Sequence, residues 1–102
     1  MSQKHAIATI RDIPSNTAKA FDVAGRRIAI FNVEGHFYAM DDACTHDGGP
    51  LSEGDMDGTT VTCPLHGAEF DVTCGRPLCG PALEKAACYS VSLNGDTIEV
   101  EV

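Results

Sequence analysis

A chain of 102 residues, 43% of them hydrophobic, can bury one modest core, which excludes a second domain and predicts a single unit over 1–102. With 15 acidic against 7 basic side chains the formal net charge is −8, which excludes nucleic acid and anionic lipid as partners, since both demand clustered lysine and arginine. No apolar run approaches the roughly 18 residues of a membrane span, and the start Met1-Ser2-Gln3-Lys4-His5 lacks the apolar stretch of a signal peptide, so a soluble cytoplasmic chain is expected.

Short runs rich in Val, Ile, Thr and Phe, separated by Gly, Pro, Asn and Asp, predict antiparallel strands over 5–10, 26–33, 36–40, 60–62 and 69–72. Arg27, Ala29 and Phe31 alternate with Ile28, Ile30 and Asn32, and Glu34-Gly35 turns this strand back into His36 to Met40, a first hairpin. The segment from Asp47-Gly48-Gly49-Pro50-Leu51 to Asp57-Gly58-Thr59 is dense in glycine and poor in alternation, and it reads as loop. Ala82 to Ala87 offers at most one helical turn after Pro81. The chain closes on a second hairpin: Tyr89, Val91 and Leu93 alternate with serines, Asn94-Gly95-Asp96 turns, and Ile98, Val100 and Val102 alternate with glutamates, giving one apolar and one wet face. No segment carries a convincing 3.6-residue period, so the fold class is all-β.

The chemistry lies in two mixed pairs, Cys44-Thr45-His46 and Cys63-Pro64-Leu65-His66. Thiolate sulfur and imidazole nitrogen are preferred ligands of zinc and of iron–sulfur centres, so Cys44, His46, Cys63 and His66 form a four-ligand candidate set. Structural zinc modules usually pair cysteine with cysteine and histidine with histidine. Alternation suits a two-iron cluster, two cysteines on one iron and two histidines on the other, each loop sending one ligand to each. Zinc remains the competing reading, and a colourless protein with one zinc would establish it. His5 and His36 have no such company and read as structural or exposed. Of the remaining cysteines, Cys74, Cys79 and Cys88, the plain reading is half-buried apolar filler in a reducing compartment, and a Cys74–Cys79 disulfide is the sharper one.

Cys44-Thr45-His46, then Cys63-Pro64-Leu65-His66-Gly67, Phe70-Asp71 and Gly80-Pro81 resemble a Rieske [2Fe–2S] protein over nearly the whole chain. Within that family the chain resembles the small soluble ferredoxins that feed electrons to bacterial aromatic-ring-hydroxylating dioxygenases. The resemblance implies one [2Fe–2S] cluster, with Cys44 and Cys63 on an inner iron and His46 and His66 on an outer iron nearer solvent. It implies antiparallel sheets in which a base carries a small cluster-binding subdomain, roughly 42–82, with Cys79-Gly80-Pro81 as a covering third loop. It also implies a monomeric one-electron carrier, not an enzyme, running from an NADH-dependent flavoprotein reductase to a Rieske non-haem iron oxygenase. The alternative within the family is a small Rieske subunit of another oxidoreductase complex.

Two further features bear on function. From Asp41 to Asp71 the chain carries Asp41, Asp42, Asp47, Glu53, Asp55, Asp57, Glu69 and Asp71 with no lysine or arginine, which is either a solvated face or a docking surface for basic partners. Against the respiratory Rieske pattern, Gly49 and Leu65 stand where that branch has two extra cysteines, Ala68 where it has serine and Phe70 where it has tyrosine. Loss of those hydroxyl donors, with acids nearby, predicts a reduction potential at the low end of the Rieske range of about −150 to +300 mV.

Overall fold

The computed structural model describes residues 3–43, 49–65, 67–79 and 84–102, with the backbone alone at Cys79. The described residues form ten strands: β1 (Lys4–Thr9), β2 (Thr17–Val23), β3 (Arg26–Val33), β4 (His36–Asp41), β5 (Asp55–Asp57), β6 (Thr60–Thr62), β7 (Glu69–Asp71), β8 (Arg76–Cys79), β9 (Cys88–Asn94) and β10 (Thr97–Glu101). Single 3₁₀ turns occupy Ile10–Asp12 and Leu51–Glu53, and no α-helix occurs among the described residues.

All pairings are antiparallel. Six strands form one sheet in the order β1-β10-β9-β4-β3-β2, whose outer strands β1 and β2 approach each other so that it curls into a half-barrel. The other four form a small sheet in the order β5-β6-β7-β8.

The strand β3 explains how the two sheets share one molecule. Its stretch Ile28–Asn32 is buried on both faces. Ile28 and Ile30 point into the half-barrel with Ile13, Val23, Ala39, Ile98 and Val100. Ala29 and Phe31 point the other way and join Met40 in a second core with Leu51, Val61, Cys63, Ala68, Phe70 and Val72 of the small-sheet half. Period-two alternation along one strand thus serves two cores. The buried Asn32 is fully used: its Nδ2 donates to the Ile13 carbonyl at 2.7 Å and its Oδ1 accepts the Gly35 N–H at 2.7 Å.

The predicted strands and both hairpins are present, with bounds shifted by a residue or so. Three strands were not anticipated: β2, β5 and β8. The turn at Glu34 and Gly35 has positive φ at both residues, 51° and 90°, the left-handed pair that matches strand twist in a two-residue hairpin. Glu84 to Ala87 forms no helical turn, and Ala82 and Leu83 lie outside the described residues. The apolar face of the last hairpin is incomplete, because Leu93 near its tip is 52% exposed while Ile98 and Val100 are fully buried.

Candidate metal centre

The second ligand pair belongs to the hairpin of β6 and β7, where Val61 faces Phe70 and Thr62 faces Glu69. Beyond the strands, the Cys63 N–H donates to the Ala68 carbonyl at 2.7 Å and the Gly67 N–H donates to the Cys63 carbonyl at 3.1 Å. These two bonds pinch the intervening chain into a short loop. Gly67 sits at φ +76°, a left-handed backbone that a side chain would strain. The loop starts and ends inside, with Cys63 2% exposed and Ala68 fully buried, whereas Leu65 between them is 58% exposed.

The first ligand pair lies on the connection between β4 and the 3₁₀ turn Leu51–Glu53. Met40 before it and Leu51 after it are both fully buried in the core that holds Cys63. The entrance and exit of one ligand segment and the base of the other are therefore packed together. Gly54 strengthens that junction, since a Cβ there would stand 2.1 Å from the Thr62 carbonyl oxygen, the residue before Cys63. Only a glycine lets the two segments approach this closely.

Of the four predicted ligands, Cys63 is described and Cys44, His46 and His66 lie outside the described residues, as do Asp47, Gly48, Gly80 and Pro81. Cys63 shares its cluster with Ala68 and Phe70, both fully buried. Neither residue 68 nor residue 70 carries a side-chain hydroxyl.

The profile of the Rieske [2Fe–2S] domain family matches residues 3–90. The chain belongs to the Rieske [2Fe–2S] domain family. It is 35% identical over 91 residues to the naphthalene 1,2-dioxygenase system ferredoxin component of Pseudomonas aeruginosa, an alignment covering 89% of this chain and 88% of that one. Its fold matches the ferredoxin of carbazole 1,9a-dioxygenase from Nocardioides aromaticivorans IC177 with a TM-score of 0.92, 28% identity and 95% of each chain covered. A solved complex of reduced oxygenase and oxidized ferredoxin in carbazole 1,9a-dioxygenase contains a chain matched with a TM-score of 0.90 and 30% identity, covering 95% of this chain and 91% of that one. This Rieske protein is thus a ferredoxin, an electron-transfer protein and not itself a catalyst, and the cluster its family implies is of the Rieske type.

The donor chemistry fits that group. Two thiols and two imidazoles alternate over two segments, and the described thiol is buried at the base of a pinched loop rather than spread on a surface. Of the remaining cysteines, Cys74 and Cys88 are free thiols, and the side chain of Cys79, the other half of the alternative disulfide, lies outside the described residues. His36 is exposed and His5 half-buried, as expected of histidines without company.

The acidic run needs correction, because not all its members face solvent. Asp42 is 4% exposed. Its Oδ2 accepts from Arg27 Nε at 2.9 Å and from Ser52 Oγ at 3.0 Å, and its Oδ1 accepts the Ser52 N–H at 2.6 Å. Asp41 accepts from the Tyr89 hydroxyl at 2.6 Å, and Tyr89 in turn accepts from Arg26 at 3.1 Å. Asp71 folds onto its own turn through Thr73. Glu53, Asp55 and Asp57 remain as exposed acids, on the 3₁₀ turn and on the edge strand β5. Arg27, which pairs with Asp42, and Arg26, which reaches Asp41 only through Tyr89, both come from β3, outside the run. The hairpin register that pairs Val33 with His36 and Ile28 with Asp41 sets Asp42 beside Arg27, so this pairing could have been counted from the sequence.

Proposed function

We propose that this ferredoxin is the electron-carrying component of an aromatic-ring dioxygenase system, passing single electrons from an NADH-dependent flavoprotein reductase to a Rieske non-haem iron oxygenase. When bound, a Rieske cluster supplies a reversible one-electron site. Cys44 and Cys63 would hold one iron as thiolates, and His46 and His66 would hold the other through one ring nitrogen each. All four side chains are then used as ligands, so no position is left on iron for a substrate. The packed core around Cys63 would keep water from the thiolate side, and the loop that rises to exposed Leu65 would carry the imidazole side outward, toward a partner.

The observation that carries this reading is the nearly end-to-end match with ferredoxin components, which leaves the relatives little chain for any further catalytic unit. The cluster-binding subdomain would span roughly 42–82, a stretch that contains the strands of the small sheet. The carrier works as a monomer in the cytoplasm, where NADH and the reductase are found. The test is reconstitution. Purified protein should hold about two irons per chain, show the electron paramagnetic resonance of a reduced Rieske centre, and restore NADH-driven oxygenation of an aromatic substrate when added to a reductase and an oxygenase. A colourless protein with one zinc, or tight copurification with a large subunit, would overturn the proposal.

A further inference from the structure

We infer that Asp42 is a positioning residue for the cluster: its carboxylate buckles together the two ends of the segment that carries Cys44 and His46 and fastens that buckle to the base sheet. The inference rests on the ligand assignment proposed above.

Three observations carry it. The Asp42 side chain has no exposed surface, whereas its partner Arg27 is 58% exposed. A fully desolvated carboxylate survives only where donors satisfy it, and three reach this one. Two of the three come from a single residue, Ser52, ten positions along the chain and beyond the ligand segment. The third comes from β3, whose Arg27 carbonyl also accepts the Asp42 N–H at 3.0 Å. One side chain therefore spans the start of the segment, its end and the half-barrel. Buried Leu51 and the close approach of Gly54 to Thr62 extend the same fastening to the β6–β7 hairpin that carries Cys63. A serine at 52 gives both an N–H and a hydroxyl to one carboxylate, a geometry that fixes the angle between the two ends as well as their distance.

A buried ion pair often contributes only to stability, so the test separates stability from positioning. Asp42→Asn, Ser52→Ala and a control, Asn32→Ala, are compared as holoproteins. Asn32 is also buried and hydrogen-bonded on β3, but its partners Ile13 and Gly35 lie away from the ligand segments. The readouts are the rate of cluster loss to an iron chelator, the resonance line shape of the reduced centre, the midpoint potential and the thermal unfolding midpoint. Asp42→Asn should lose its cluster at least about tenfold faster than wild type, equivalent to about 1.4 kcal/mol, with an altered line shape and potential. Asn32→Ala should be comparably destabilised to heat and keep the wild-type line shape and potential.

Ser52→Ala keeps the carboxylate, the Arg27 pair and the backbone N–H, so it should fold and show a smaller change in the same direction. It carries the test if Asp42→Asn does not accumulate. Wild-type line shape and chelation rate in the Asp42 or Ser52 variants, or equal changes in the Asn32 control, would overturn the positioning role while leaving the cluster assignment intact. A wild-type protein without a Rieske resonance would overturn both.

Discussion

The Tyr89 hydroxyl donates to Asp41 at 2.6 Å, a bond across 48 positions that ties β9 to the end of β4, just before the first ligand segment. Burial, and then this bond, push the Tyr89 phenol above its ordinary value of 10.0, with Arg26 pulling the other way. The folded protein therefore holds this proton more tightly than the unfolded chain. Its contribution to stability is complete below pH about 10 and is lost as pH rises through the folded value. Tyr89→Phe should unfold with a flatter dependence on pH above about 10 than wild type. Denaturant midpoints measured from pH 8 to 11.5 check this, and parallel slopes for the two proteins would show that the bond does not bias the phenol.

Cys88 reads as filler, and its surroundings make that reading testable. The residue as a whole is exposed, yet its sulfur lies against Gly75, where an added Cβ would come within 2.9 Å of it and 2.1 Å of the Ala86 carbonyl oxygen. Burial pushes the thiol above its ordinary value of 9.0, against the pull of Lys85. At pH 8 Cys88 should alkylate more slowly than the same thiol in the unfolded chain, because less of it is thiolate. Cys88→Ser should keep full iron content and a wild-type spectrum. Gly75→Ala, at φ +77°, should cost about 1–3 kcal/mol. Mass-resolved alkylation and thermal melts give these answers, and loss of iron in Cys88→Ser would place that thiol in the metal site.

How legible these features were depended on whether the signal was local. The alternating ligands and the strands β3, β4, β9 and β10 carry their message in adjacent letters. The strand β2 does not: Thr17–Val23 mixes two alanines, a lysine and an aspartate, poor strand formers held by full pairing with β3 from Thr17↔Asn32 to Val23↔Arg26. Its turn, Ala24-Gly25, has positive φ at an alanine, which no turn preference announces. Strand β8 contains Pro77, which argues against a strand except at an edge, and an edge is where β8 lies. Strand β5, Asp55–Asp57, is a short acidic edge. Burial of Asp42 is hidden for a different reason: its neutralising partner Arg27 stands 15 positions away along the chain, outside the acidic run.

That correction sharpens the docking prediction. Only the exposed acids can steer a basic partner, so Glu53, Asp55 and Asp57 should matter and Asp42 should not. Electron transfer from the proposed reductase and to the proposed oxygenase should slow as salt rises, since screening has a length of about 10 Å at 0.1 M. Combining Glu53→Gln, Asp55→Asn and Asp57→Asn should lower the second-order rate at low salt and flatten its salt dependence. Stopped-flow rates over a salt series measure this. A wild-type slope in the triple variant would assign these acids to solvation alone, or to keeping the edge strand β5 from pairing with other chains.

The reduction potential offers the most direct check on how the second ligand loop works. Ala68 is fully buried, and its carbonyl takes the Cys63 N–H at 2.7 Å, so residue 68 is held directly across the loop from a proposed ligand. Phe70, also fully buried, lies in the same cluster. Neither side chain has a hydroxyl to donate to sulfur. Donors aimed at cluster or thiolate sulfur stabilise the more negative reduced state, and their absence lowers the potential. The midpoint should therefore fall at the low end of about −150 to +300 mV, suited to accepting electrons from a flavin.

Ala68→Ser should raise it, and by more than Phe70→Tyr, because position 68 is tied by backbone to Cys63 while Phe70 pairs with Val61 on β6. Each variant buries a new hydroxyl, which costs about 1–3 kcal/mol if it finds no acceptor. A stability loss without a potential rise would therefore mean that the hydroxyl missed the sulfur. Protein-film voltammetry with parallel thermal melts distinguishes these cases. A wild-type midpoint near the top of the range, or an unchanged midpoint in an Ala68→Ser protein that is as stable as wild type, would show that these two positions do not set the potential.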